Sequence, residues 1–196
     1  MEARHPHKAA IVCGRDSLTF RQLNRQTWRL ASHLATLGIE PGDTVGILLP
    51  NCPEFAASFI APLRIGAISV PLNVRYGPPE LESAFRDCGL SALIANPEHL
   101  PVVAPLVGSL PGFKSLIVNR RLAPGEATES YPDLGRMVST EVGEVTVPPM
   151  RDEDHAVYMF TSGTTGAPKG VIVTRGTLAR RGANTRNLDI TAGDTC

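Results

Sequence analysis

The residues from Thr161 to Lys169 are the ones whose types and spacing could do chemistry. The segment reads Thr-Ser-Gly-Thr-Thr-Gly-Ala-Pro-Lys. Its glycines leave backbone N–H groups accessible, its threonines and serine supply hydroxyls, and its lysine supplies one mobile positive charge. Small residues let the backbone approach an anion closely, and a concave set of N–H groups suits a chain of phosphates. The pattern therefore predicts a phosphate-binding loop.

Two hydrophobic runs frame this loop. Residues 156–160 lead into it, and residues 171–173 lead out of it. An apolar run that stops abruptly at small polar residues predicts a buried strand ending in a loop, and Lys169 then enters a second strand. A flexible linker would not lie between two such runs.

Two better-known loop motifs do not fit. A Walker A loop needs Gly-Lys-Ser/Thr leading directly into a helix, whereas Lys169 follows Pro168 and precedes Gly170. A Gly-x-Ser-x-Gly nucleophile elbow is excluded because no glycine stands two residues before Ser162. A phosphotransferase with an unusual phosphate loop stays open as an alternative, although the chain has no recognisable second acidic motif.

The rest of the chain alternates between short hydrophobic runs and helical periodicity. The predicted strands span 9–13, 17–20, 45–49, 67–72, 90–95 and 115–118, and the predicted helices span 23–37, 54–65, 78–89, 98–107, 133–138 and 177–187. Thr19 with Gln22 predicts a capping box at the first helix, and Thr174 is the expected cap of the last one. Strands alternating with helices predict an α/β fold with a doubly wound, mostly parallel sheet and flanking helices. Residues 119–154 predict a surface connector.

Composition excludes several classes of partner. The 196 residues are 42% hydrophobic, and 19 basic residues balance 19 acidic ones. This neutral charge predicts neither nucleic-acid nor anionic-membrane binding. Four scattered cysteines predict reduced thiols, and no run is long and apolar enough for a signal peptide or a membrane span, so we expect a cytoplasmic protein. The oligomeric state is left open.

Other polar residues have ordinary structural interpretations. His5 and His7 are expected to lie in a loose terminus, Trp28 to pack, and residues 152–154 (Asp-Glu-Asp) to form a solvated turn. A solvated helix face is expected for the arginines that follow the loop, which are Arg175, Arg180, Arg181 and Arg186.

The loop resembles, nearly letter for letter, the Ser/Thr/Gly-rich phosphate loop of the adenylate-forming (AMP-binding) superfamily, which includes acyl-CoA synthetases, adenylation domains of peptide synthetases and luciferase-like enzymes. Residues 18–23 (Leu-Thr-Phe-Arg-Gln-Leu), 42–51 and 63–73 resemble other motifs of that family. Val-Pro-Leu-Asn at 70–73 is most like the acyl-CoA synthetase branch. One departure is Arg175, where many relatives have histidine after threonine.

The resemblance implies a ligase that uses ATP, Mg²⁺ and coenzyme A. A carboxylic acid, fatty or aryl, would be converted to an acyl-adenylate and then transferred to coenzyme A. By the same resemblance, Lys169 would be catalytic and bind phosphate, and Thr161 would bind Mg²⁺ or phosphate. The β- and γ-phosphates would be held by Ser162, Gly163, Thr164, Thr165 and Gly166. An adenylation domain that serves a carrier protein and a non-catalytic remnant are the alternatives.

Complete members of that superfamily are much longer. Residues 1–196 are therefore expected to be an N-terminal portion of the large adenylation domain, with the later nucleotide-binding segments and the C-terminal domain absent. The chain alone is expected to be inactive. Its strands near Tyr158 and Val171 are expected to expose apolar surface that further chain would cover.

Overall fold

The computed structural model describes residues 5–121, 130–143, 145–161 and 169–184. Within these ranges, the side chains of Lys169 and of residues 182–184 are not described. The predicted positions Ser162, Gly163, Thr164, Thr165, Gly166 and Arg186 therefore lie outside the described residues.

A small hairpin opens the fold and leads directly into a helix. Strands β1 (Ala9–Cys13) and β2 (Asp16–Thr19) are antiparallel, and helix α1 (Phe20–Thr36) begins at the next residue. The Gln22 N–H donates to the Thr19 hydroxyl at 3.2 Å, and the Thr19 N–H donates to the Gln22 side chain at 2.8 Å. These two bonds satisfy otherwise unpaired N–H groups and confirm the predicted capping box.

The main sheet has a mostly parallel order, which confirms the predicted fold class. Its six strands in the described part of the chain are β3 (Thr44–Leu48), β4 (Ile68–Pro71), β5 (Ala92–Ala95), β6 (Ser115–Val118), β7 (His155–Thr161) and β8 (Lys169–Thr174). They lie in the order β6-β5-β3-β4-β7-β8. Each neighbouring pair is parallel except β7 and β8, which form an antiparallel edge.

Helices cover both faces of this sheet. They are α2 (Pro53–Arg64), α3 (Pro78–Cys88), α4 (Leu100–Gly108), α5 (Leu134–Ser139) and α6 (Arg175–Asn184), with a short 3₁₀ turn at Pro97–His99. Helices α1, α2 and α5 pack on one face, against Val45 and Ile47 of β3. Helices α3 and α4 pack on the other face, together with Leu93 of β5. Alternate strand residues thus enter two separate cores, as expected for a parallel sheet covered on both sides.

The connector at 119–154 is more than a surface segment. Its short helix, α5, begins after Asp133, whose carboxylate accepts the Gly135 N–H at 3.0 Å. Leu134, Met137 and Val138 are buried in the same core as α1. The prediction of the helix was right, but the expectation of a purely superficial connector was wrong, because the Pro- and Glu-rich composition concealed three core residues.

The carboxylate of Asp43 joins the amino ends of several strands. It accepts hydrogen bonds from Lys114 Nζ at 2.6 Å, from the Glu40 N–H at 2.7 Å and from Ser91 Oγ at 3.1 Å. Lys114 also donates to the Gly38 carbonyl at the end of α1, at 2.7 Å. Since Asp43, Ser91 and Lys114 immediately precede β3, β5 and β6, one carboxylate aligns three strand starts.

Acidification tests this role of Asp43. Burial alone raises the pKa of its carboxyl, but the bonds from Lys114, the Glu40 N–H and Ser91 outweigh burial and hold the pKa below its usual value. A lowered folded-state pKa means that the stabilisation is present above the unfolded-state pKa and is lost as pH falls below about 4. Asp43→Asn should lower the free energy of unfolding by about 1.5–3 kcal/mol at neutral pH and flatten its decline in acid.

Urea unfolding at a series of pH values measures both effects. Asp87→Asn, at an exposed carboxylate on α3, is the matched control and should leave the curve unchanged. Equal acid sensitivity of Asp43→Asn and the wild-type chain would contradict the assignment.

Gly46 lets the central strand pack closely on its neighbours. A Cβ atom at this position would lie 2.9 Å from Cδ1 of both Leu90 and Leu93 and 3.3 Å from Cδ1 of Leu72. These leucines are themselves buried in a dense core, so they cannot move away freely.

Gly46→Ala should therefore overpack the core and lower the free energy of unfolding by about 1–3 kcal/mol. Gly108→Ala is the control, because nothing lies within 4 Å of a Cβ atom built there. Denaturant midpoints of the two variants give the comparison, and equal midpoints would show that the leucines repack without cost.

Candidate functional site

A cleft lies where neighbouring strands send their helices to opposite faces of the sheet. Helix α2 follows β3 on one face, and helix α3 follows β4 on the other. The carboxyl ends of β3 and β4 therefore border a crevice, the usual ligand position in doubly wound sheets. The cleft has a volume of ≈ 640 Å³. Its lining residues are Leu49, Pro50, Asn51, Phe55, Pro71, Leu72, Asn73, Val74, Met159 and Phe160.

The cleft walls are apolar, with two side-chain amides among them. Phe55 comes from the first turn of α2, while Met159 and Phe160 come from the end of β7. Asn51 and Asn73 supply the amides. The Asn73 side-chain oxygen accepts the Arg75 N–H at 3.0 Å, which leaves its amide N–H₂ as a donor. Such a site combines apolar contact with a few polar groups that fix orientation.

Both ends of the predicted phosphate loop lie beside this cleft. Thr161 is the last residue of β7, and it pairs across the hairpin with Lys169, the first residue of β8. The strands predicted on either side of the loop are thus confirmed. The cleft residues Met159 and Phe160 immediately precede Thr161 in β7.

The hairpin is less buried than the sequence predicts. Ala156 and Val157 are buried, but Met159 is 47% exposed, and on the edge strand Val171 and Ile172 are 47% and 54% exposed. The prediction of a fully buried strand was therefore wrong for its outer half. The expectation of exposed apolar surface around Val171 is confirmed. Strand β8 pairs with β7 on one side and, among the described residues, with no strand on the other.

Cys52 follows the cleft residue Asn51 and packs, partly buried, against the core that contains α1. It is the residue before α2, and burial raises the pKa of its thiol to about 11. The thiol is therefore protonated at neutral pH. Cys13, Cys52 and Cys88 are all free thiols, as predicted, and Cys196 lies outside the described residues.

Arg175 lies away from the cleft, with its side chain partly buried. Its guanidinium donates to the carbonyls of Leu63 at 2.9 Å and Ala67 at 3.4 Å, at the end of α2 and just before β4. A cation at this position complements the negative end of a helix. Burial lowers the pKa of Arg175, and the nearby Asp154 opposes that change. The expectation of a solvated side chain was wrong for Arg175, whereas Arg180 and Arg181 are exposed as predicted.

The amino edge of the sheet holds further polar contacts. The Asp154 carboxylate accepts the Arg151 N–H at 2.7 Å in a turn, and Asp152 and Glu153 are exposed, as predicted. The Tyr158 hydroxyl lies 2.9 Å from His155 Nδ1. In the described ranges, no group of His, Cys, Asp and Glu side chains is arranged to hold a metal ion.

Thr174 caps α6, since its hydroxyl accepts the Thr177 N–H at 3.3 Å. Trp28 packs, as predicted, with the guanidinium of Arg64 4.3 Å from its ring centroid.

Sequence reasoning missed Asn51 and Asn73 as site residues. Each follows the end of a parallel strand by two or three residues, in the segments Leu-Pro-Asn and Pro-Leu-Asn. The rule that ligands bind outside the carboxyl ends of parallel strands could have identified them. No helix in the described part of the chain is long and apolar enough to cross a membrane.

Comparisons with known proteins point to one family. Residues 2–195 match the family described as AMP-binding enzyme. A feruloyl-CoA synthase from an Amycolatopsis species is 38% identical over 176 residues, which cover 88% of this chain and 31% of that protein. A 3-hydroxybenzoate–CoA/4-hydroxybenzoate–CoA ligase from Thauera aromatica is 31% identical over 165 residues, 84% of this chain and 31% of that protein.

Solved structures agree with these relatives. A putative long-chain-fatty-acid CoA ligase from Rhodopseudomonas palustris has a TM-score of 0.85 at 26% identity, covering 98% of this chain and 47% of that chain. An anthranilate CoA ligase in complex with anthranoyl-AMP has a TM-score of 0.78 at 29% identity, covering 87% of this chain and 32% of that one. The chain thus spans about a third of the length of the curated relatives it matches.

The hydrogen bonds of Arg175 to main-chain carbonyls predict that this side chain stabilises the fold. Arg175→Met keeps the aliphatic stem but removes both hydrogen bonds to carbonyls, so it should lower the free energy of unfolding by about 1–2 kcal/mol. Arg181→Met, at an exposed position on the same helix, is the control. Thermal and urea unfolding measure the difference, and equal stability of the two variants would show that the Arg175 contacts contribute nothing.

Proposed function

Because this chain belongs to the AMP-binding enzyme family, we propose that the intact protein is an acid–thiol ligase of the acyl-CoA synthetase type. Residues 1–196 contribute an N-terminal portion of its adenylate-forming domain, including the phosphate-binding loop. The substrate is an aryl or fatty carboxylic acid, in line with the names of the feruloyl-CoA, hydroxybenzoate–CoA and long-chain-fatty-acid–CoA relatives.

The proposed reaction has two displacements. A carboxylate oxygen of the acid attacks the α-phosphorus of ATP, a new C–O–P bond forms, and pyrophosphate leaves with the electrons of the broken P–O bond. The thiol of coenzyme A, having lost its proton, then attacks the acyl carbonyl. The bond between the acyl carbon and the oxygen of AMP breaks, which releases AMP and a thioester.

One observation carries this proposal: the pairing of Thr161 with Lys169 beside the switch-point cleft. This pairing supports a loop whose two ends are held by strands at the carboxyl edge of the sheet. Ligands of doubly wound sheets bind at this edge. A loop rich in glycine and hydroxyl groups in this position is suited to a polyphosphate, because its backbone N–H groups can approach the oxygens closely.

The loop residues have distinct proposed roles. Backbone and hydroxyl donors hold the β- and γ-phosphates, and they are supplied by Ser162, Gly163, Thr164, Thr165 and Gly166. Lys169 neutralises the negative charge that builds up on pyrophosphate as it leaves, which lowers the barrier of the first displacement. Asn51 and Asn73, at the rim of the cleft, are positioned to donate hydrogen bonds to a bound substrate.

Thr161 is a suitable oxygen ligand for Mg²⁺. Its hydroxyl is a hard oxygen ligand at the end of β7 and would add to the phosphate oxygens, water and one or two carboxylates that usually bind Mg²⁺. When bound with ATP, Mg²⁺ would supply further charge neutralisation to the phosphates. The carboxylate ligands of the ion would come from outside the residues that line the cleft.

Substitution of Lys169 tests the proposal. In the intact protein, Lys169→Ala should slow ATP–pyrophosphate exchange, because the transition state loses one charge-assisted contact. Such a contact contributes about 1.5–3 kcal/mol. Arg175→Met is the matched control, since Arg175 bonds to carbonyls at the opposite edge of the sheet. It should leave the exchange rate of folded protein unchanged.

Product analysis separates the remaining possibilities. Incubation of the intact protein with ATP, coenzyme A and a panel of aromatic and fatty acids should yield AMP, pyrophosphate and the CoA thioester of the preferred acid. ADP as the nucleotide product would instead indicate a phosphotransferase. AMP without a thioester would indicate an adenylation domain that serves a carrier protein, and an unchanged exchange rate for Lys169→Ala would rule out the assigned loop role.

A further inference from the structure

A second and larger groove lies along helix α1. It has a volume of ≈ 700 Å³ and is bordered by α1 on one side and by residues 141–143 and Val145 on the other. None of its lining residues belongs to the cleft described above. The proposed ligase reaction makes no use of the residues that line this groove.

Three arginines form a row along the α1 side of the groove. Arg21, Arg25 and Arg29 are four residues apart, so they lie on one face of the helix with a rise of about 6 Å between successive residues. Arg21 and Arg25 are exposed, and neither forms an ion pair with a carboxylate of the described residues. In a chain with zero formal net charge, this is a local concentration of positive charge.

The third arginine already holds a carboxylate, but incompletely. Arg29 Nη2 lies 2.8 Å from Glu141 Oε1, while Arg29 Nε is buried and has no hydrogen-bond partner. Guanidinium groups usually bind a carboxylate through two parallel bonds, and here one of the two donors is unused. The Arg29 side chain is 19% exposed, whereas Glu141 is 78% exposed, so the acid is the member of the pair that can move away.

The segment that bears Glu141 shows what kind of ligand the row accepts. Residues 141–143 have no helix or strand hydrogen bonding and run alongside α1. Glu141 is also the sole acidic side chain among the described residues that line the groove. Alternate side chains of an extended chain are about 6.6–6.8 Å apart, close to the spacing of the arginines along the helix. An extended peptide with acidic residues at alternate positions could therefore contact all three.

We propose that this groove is a docking site for an extended acidic segment of a partner protein. Carboxylates at alternate positions of that segment bind Arg21, Arg25 and Arg29. The carboxylate that binds Arg29 displaces Glu141 and also accepts a hydrogen bond from the Arg29 Nε–H. Apolar residues between the carboxylates pack on Trp28 and Val145. Exposed ion pairs contribute little individually, so displacement of Glu141 costs little, and affinity comes from three pairs acting together.

A small phosphate ligand fits the groove less well. The three guanidinium groups are distributed along the helix rather than converging on one point, whereas a single phosphate is held by donors that converge. One side of the Trp28 ring is covered by Arg64, which limits stacking with a nucleotide base. Phosphate compounds serve as competitors in the test.

Trp28 lines the groove, and the difference in emission between the intact protein and its Trp28→Phe variant isolates the signal of this residue. A capped synthetic peptide of alternating Glu and Val is titrated into the intact protein while Trp28 emission is recorded. Saturable binding that weakens with added salt is expected, and a Gln–Val peptide of the same length should not bind. Anisotropy of a labelled peptide gives an independent dissociation constant.

Two substitutions in the groove are expected to change the affinity for the peptide in opposite directions. Arg25→Gln should weaken peptide binding about 3- to 5-fold, the effect of one exposed charge pair. Glu141→Gln removes the internal competitor and should strengthen binding by a factor of about 3. Arg86→Gln is the matched control, since this exposed arginine lies on α3, where its guanidinium contacts Glu82 at 2.7 Å, and it should have no effect.

Several results would overturn the inference. Unchanged affinity in Arg25→Gln, or weaker binding in Glu141→Gln, would show that the row of arginines does not hold the peptide. Equal binding of the Gln–Val peptide would assign the signal to apolar contact. Displacement of the peptide by pyrophosphate at concentrations far below those of the peptide would assign the groove to a small oxyanion instead.

Discussion

The carboxylate of Asp43 is the interaction on which the geometry of the sheet depends. It is bound by Lys114, Ser91 and the Glu40 N–H, so the residues that precede β3, β5 and β6 are connected at one point. The Asp43 carbonyl also accepts the Ile68 N–H at 2.8 Å, which adds the start of β4. Parallel strands that begin in a common register also end in one, because their rise per residue is the same. The contacts at the amino edge therefore determine where the carboxyl ends, and the cleft between them, are placed.

The carboxyl and amino edges of the sheet have different roles. The carboxyl edge carries the cleft with Asn51 and Asn73 and the strand ends from which the phosphate loop starts. The amino edge carries the contacts that hold the last helix, chiefly those of Arg175 with main-chain carbonyls. The side chain of Arg175 therefore bonds to carbonyls on the far side of the sheet from Thr161.

Short-range signals in the sequence predicted most of the fold correctly. The capping box of Thr19 and Gln22, the alternation of strands and helices and the cap at Thr174 all depend on residues within three or four positions of each other. The predictions failed where distant contacts decide. The buried residues of α5 were missed because their burial depends on α1, about a hundred residues earlier in the chain. The half-exposure of β7 was missed because it depends on which distant elements pack against the faces of that strand.

The sequence by itself predicts the chemistry of the loop, because glycine, hydroxyl and lysine types in one continuous segment are suited to a phosphate ligand. It also determined the fold class and the family, since both are encoded in local periodicity and in continuous motifs. Only the tertiary structure decided that Asn51 and Asn73 share a cleft with Phe160, that Arg175 bonds to carbonyls, and that Arg29 contacts Glu141. These pairs join residues far apart along the chain, and no local pattern specifies which distant groups the packing of helices on a sheet brings together.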